Sequence, residues 1–124
     1  MPVILKIDSR RRVVYSTFYG KVTDEALLRH GSTIASDPDF RRDYSEIVDF
    51  SAVSEMAVSD ATLKTMAGTR SLFSDTALHI VVAPAESAFQ LASKYKEFTR
   101  ETRPNLFVVR TRAEAYKLLD TRPE

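Results

Sequence analysis

The chain has 124 residues, 44% apolar and 28% charged, with a formal net charge of +1. That is the composition of one folded domain over residues 1–124; it excludes a disordered chain and leaves no concentrated basic face for nucleic acid. The absence of cysteine excludes disulfide scaffolds, thiol catalysis, iron–sulfur clusters and cysteine-ligated zinc.

Val3–Asp8 alternates apolar and polar residues, a strand pattern. A turn at Ser9–Arg12 and a β-branched, aromatic run at Val13–Tyr19 make an antiparallel hairpin, which Gly20 ends. Thr23 is placed to cap a helix with Asp24 and Glu25 in its first turn, an apolar stripe of Ala26, Leu27, His30 and Ile34, and a stop at Asp37-Pro38. Glu46–Phe50 reads as a short third strand. A serine-rich loop over residues 51–58 follows, then a helix capped by Ser59 with a stripe of Leu63, Met66, Ala67 and Phe73. Ala77–Ala83 is a nearly continuous apolar run, the mark of a strand buried on both faces. Pro84 opens the next helix at its tolerated first position, and Phe89, Ala92, Tyr95 and Phe98 or Thr99 recur at helical spacing up to Arg103-Pro104. Asn105–Arg110 reads as a last buried strand. Thr111 with Glu114 forms a capping box for a helix that turns Ala115, Leu118 and Leu119 inward, and Thr121–Glu124 reads as a frayed tail.

The order is therefore ββαβαβαβα. Strands alternating with helices imply right-handed parallel crossovers. The fold class is α/β, a single mixed sheet with an N-terminal antiparallel hairpin followed by parallel strands.

The segment after the third strand is the best candidate site. Asp49 ends an apolar strand, Ser51 and Ser54 follow, and Ser59 and Asp60 stand at a helix start. Backbone N–H groups and the positive end of a helix dipole converge at such a junction. Asp49, Ser51, Ser54, Val58, Ser59 and Asp60 are the candidate binding residues. Each polar one also has a structural reading: Asp49 can accept N–H bonds from the chain that follows it, and Ser59 can simply cap its helix.

Other chemistry is sparse. His30 and His79 lie on separate elements with no carboxylate at ligand spacing, so no metal site is expected. There is no Gly-x-Ser-x-Gly elbow and no glycine-rich phosphate loop, so neither a catalytic constellation nor a cofactor is expected. Arg10-Arg11-Arg12, Arg41-Arg42, Arg100 and Arg103 are balanced by neighbouring acids, so no nucleic-acid partner is expected. No apolar run reaches membrane-spanning length and no leader pattern opens the chain; a cytoplasmic location is expected. Tyr15, Phe18 and Tyr19 crowd the hairpin, while Phe89, Tyr95 and Phe98 crowd one helix. The hairpin face needs a cover, from a helix or from a second copy in a homodimer; the alternative is an apolar pocket beneath it.

The element order, with Asp49, Ser51 and Val53 matching Asp-x-Ser-x-Val at a strand end, resembles the STAS (sulfate transporter and anti-sigma-factor antagonist) family. The pattern Tyr15…Phe18-x-Gly20-x-Val22-Thr23 is similar to its unassigned bacterial SpoIIAA-like branch. The resemblance spans nearly the whole chain in element order. It implies a non-enzymatic regulatory module that meets a protein partner through the 51–58 loop and the following helix. The position of the family's phosphorylated serine is Val58, which has no hydroxyl, so the phosphoserine switch does not carry over. The alternative function is a carrier or sensor of a small apolar or anionic ligand, held between the sheet and the aromatic elements.

Overall fold

The computed structural model describes residues 2–122. Its elements are β1 (Val3–Asp8), β2 (Val13–Thr23), α1 (Asp24–Ala35), β3 (Ser45–Ala57), α2 (Asp60–Gly68), β4 (His79–Val82), α3 (Glu86–Phe98), β5 (Leu106–Val109) and α4 (Arg112–Asp120). The strands lie in one sheet in chain order, β1 antiparallel to β2 and every later neighbour parallel. This is the expected mixed α/β sheet, with β3 as its central strand.

Because successive parallel strands always step the same way, right-handed crossovers put α1, α2 and α3 on one face. Alternate strand side chains then serve two layers. Phe18, Phe50 and Val81 meet Leu27 of α1 and Ala88 and Ala92 of α3. Val13, Ile47, Ile80 and Val82 meet Ala115 and Leu119 of α4 on the other face. All four positions of β4 are buried, which explains its unbroken apolar run. Each fully buried Phe, Ile or Val side chain contributes about 1.5–3 kcal/mol.

Several boundaries differ from the sequence reading. Gly20 does not end β2. The strand runs on to Thr23, and Gly20 sits at φ 66° between two places where β3 carries an extra residue. Glycine takes that bend without a steric penalty. For the same reason residues 51–57 are strand and not loop: Tyr19 pairs with Ala52, Lys21 with Glu55 and Thr23 with Ala57. A partner strand from elsewhere in the chain overrides the weak strand preference of a serine-rich segment. Phe73 is not on α2, which ends at Gly68; it packs with Val14 and Ile34 from the segment beyond. Pro84 precedes α3, whose N-cap is Ala85, because Ala83 still bonds Val109 O in the manner of the sheet. β5 is an edge strand, and only Leu106 in it is fully buried. In the expected frayed tail, Thr121 caps α4 and the Arg122 guanidinium donates to Arg11 O and Arg12 O at 2.8 and 3.0 Å. Pro123 and Glu124 lie outside the described residues.

Ser59 ties two helix starts together. Its hydroxyl oxygen accepts from Thr62 N at 3.2 Å, capping α2. Its N–H and O–H donate to the Asp24 carboxylate at the start of α1, at 2.8 and 3.1 Å. Loss of the cap in Ser59→Ala is expected to cost about 1–2 kcal/mol in urea denaturation. A change below a few tenths would mean that the cap is replaceable.

Candidate functional site

A cavity of about 560 Å³ lies between the sheet and helices α1–α3. Phe18, Phe50, Leu63 and Phe73 form much of its apolar wall, and the small Gly31 and Ala92 leave room between them. Native packing would normally close such a space, and its size falls in the range of small-ligand sites. The lining residues that reach solvent mark its mouth: Leu28, Ser32 and Ala35 on α1, and Thr69 and Arg70 after α2. Gly31 faces the far side of that mouth, where an added Cβ would lie 3.8 Å from Leu72 Cδ1.

Behind the mouth, His30, Glu46, Ser71, His79, Tyr95 and Arg103 interrupt the apolar wall. Glu46 and His79 are register partners on β3 and β4, so their side chains share a face, and Glu46 Oε1 lies 3.0 Å from His79 Nδ1. Burial pushes the Glu46 carboxyl up, but the hydrogen bond with His79 and nearby positive charge, Arg103 included, outweigh it and hold it below the usual range. The Arg103 guanidinium donates to Met66 O, Ala67 O and Thr69 O at 3.4, 3.3 and 2.9 Å, closing the C-terminus of α2. Burial pushes the Tyr95 hydroxyl up, so it stays protonated.

His30 is the anomaly. It is 8% exposed, it stands edge-on to Phe18 with ring centroids 5.0 Å apart, and neither ring nitrogen has a hydrogen-bond partner among the described residues. Burial pushes its pKa down, so the ring is neutral at pH 7. In the unfolded chain a histidine takes up a proton near pH 6.5, before the folded one does, so His30 makes the fold less stable as pH falls below that value. His30→Phe removes both the unpaired nitrogens and this proton uptake. The variant is expected to gain about 1 kcal/mol at pH 7.5 and to widen its lead at pH 5.5 in urea denaturation. A lead that does not change with pH would rule out the buried neutral ring.

The residues singled out by sequence do not converge. Asp49 faces the α4 side, in a separate cleft of about 230 Å³ lined also by Tyr15, Thr17, Arg112 and Tyr116. Its Oδ2 accepts from Arg112 Nε at 2.6 Å and its Oδ1 from Ser51 N at 2.8 Å. Burial pushes the Asp49 carboxyl up, but Ser51 and Arg112 outweigh it and the pKa is lowered. Ser51 and Ser54 are exposed and fall where β3 carries its extra residues. Val58 is partly buried against the α1–α3 core. Asp60 Oδ1 accepts from Lys94 Nζ of α3 at 2.9 Å. Sequence reasoning named Tyr95 only among the aromatic elements and Arg103 only in a basic cluster, missed Glu46, and treated His30 and His79 as isolated. The available signal was a polar residue on the inward face of each of two neighbouring apolar strands.

Among the described residues no three His, Asp or Glu side chains are grouped to hold a metal ion, and no helix is long and apolar enough to cross a membrane. No protein-family model matches the chain, and no curated protein matches it.

Proposed function

We propose that this chain is a cytoplasmic carrier or sensor of a small, mostly apolar ligand, held between the sheet and α1–α3. The observation that carries the reading is the open, apolar cavity of about 560 Å³ between the sheet and three helices. Native mass spectrometry of freshly purified protein tests it, together with titration by the apolar dye diphenylhexatriene. Bound mass or saturable dye fluorescence is expected, reduced in Gly31→Leu, whose side chain would enter the mouth. A clean apo mass with no dye binding would sink the reading.

A second reading keeps the STAS-like regulatory role. β4 pairs with β3 only over Glu46–Asp49, so among the described residues no strand lies along that edge of β3 from Phe50 to Ala57. Such an edge suits a partner that adds a strand. Ser54→Pro, which removes a backbone donor from this strand, would then lose a co-purifying partner while leaving dye binding intact.

A further inference from the structure

This inference rests on the carrier reading and concerns which ligands the cavity admits. We propose that the cavity selects uncharged amphiphiles whose hydroxyl or carbonyl group hydrogen-bonds His30, and that it rejects free carboxylates.

His30 lines the cavity with both ring nitrogens covered and without a partner among the described residues, so a turn of the ring must bring one of them to a ligand; a buried polar group without a partner carries an uncompensated desolvation penalty that such a bond relieves. A neutral imidazole offers one donor and one acceptor. A hydroxyl can serve either nitrogen and a carbonyl can serve the donor, so a ligand with one such group on an apolar body pairs one ring nitrogen while it covers the apolar wall.

Charge works in the opposite direction. Glu46 stands ionised in the same cavity, with His79 already engaged at its carboxylate. The guanidinium of Arg103 is taken up by three backbone carbonyls. A carboxylate brought to His30 would enter a water-poor space beside Glu46 without an uncommitted cation, where like charges repel strongly. It would have to bring a proton with it. Arg70 at the mouth is exposed and has no ion pair among the described residues, but an ion pair in water adds little affinity.

The test is displacement of diphenylhexatriene from the full chain by 1-dodecanol and by dodecanoate. At about pH 8 dodecanol is expected to bind roughly tenfold tighter, and the gap should narrow near pH 5.5, where the acid can enter protonated. His30→Phe should weaken dodecanol by about fivefold relative to the dye, while His30→Gln, which keeps a donor and an acceptor, should retain dodecanol. Dodecanoate binding as tightly as dodecanol at pH 8 would overturn the charge selection while leaving the carrier reading standing. If Arg70→Glu then abolished that binding, the head group would belong at the mouth. Unchanged dodecanol affinity in His30→Phe would overturn the role of His30. Failure of the dye and both amphiphiles to bind would remove the carrier reading as well.

Discussion

Replacing His79 with leucine is expected to destabilise the fold by about 3–5 kcal/mol in urea denaturation near neutral pH. The side chains of His79 and Glu46 are only 8% and 15% exposed, and each is the other's hydrogen-bond partner. Removing one leaves an ionised carboxylate in a water-poor space, which is worse than removing both. Glu46→Leu/His79→Leu should therefore recover most of the loss. The pH dependence gives a second check through its sign. In the wild type the Glu46 pKa is lowered, so its contribution is complete above the unfolded value near 4.3 and is lost as pH falls through the folded value. Without His79, burial meets only the remaining positive charge and the Glu46 pKa rises. The folded variant then binds more protons than the unfolded chain, so His79→Leu should gain stability from pH 8 to pH 5.5. A variant equally unstable at both pH values would mean that water reaches Glu46.

The same pair shows what the sequence could and could not reveal. Local chemistry announced itself: Thr23, Ser59 and Thr111 cap the helices they were expected to cap, and the Ala77–Ala83 run contains the most deeply buried strand. What depended on distant neighbours did not. Residues 51–57 read as loop because nothing nearby reveals that β2 continues past Gly20, so that Lys21, Val22 and Thr23 pair with Glu55, Met56 and Ala57. Glu46 looked like the polar start of a strand. Only the alignment of β3 with β4 places it against His79, and only the path of α1 brings His30 to the same cavity. The cavity was legible only as the alternative of a ligand between the sheet and the aromatic elements, since Ala92 fits a helical stripe whether or not anything fills the space beside it. A periodic pattern identifies which residues face inward; it does not report whether their volumes add up.

Asp49→Ala is expected to cost about 2–3 kcal/mol, through the loss of two charge-assisted hydrogen bonds, one from Arg112 and one from Ser51 N–H. The carboxylate is buried but the Arg112 side chain is 58% exposed, so the pair is partly screened and the effect should fall short of the His79 variant. Asp49→Asn keeps an oxygen for Ser51 but loses the charge and the acceptor for Arg112, so it should cost about half as much. The Asp49 pKa is lowered, so the charge contributes above the unfolded value near 3.9 and that contribution is lost as pH falls through the folded value. Wild type and Asp49→Asn should accordingly converge in acid. Arg112 is the first residue of α4, so the pair fastens that helix to the central strand on the face opposite the cavity. Asp49→Ala should thus weaken the fold and leave diphenylhexatriene affinity unchanged, whereas His79→Leu should alter both. If Asp49→Ala left stability intact and abolished binding of a partner, the acidic strand end would be a recognition group, and the helix fastening would have to come from Ala115 and Leu119 alone.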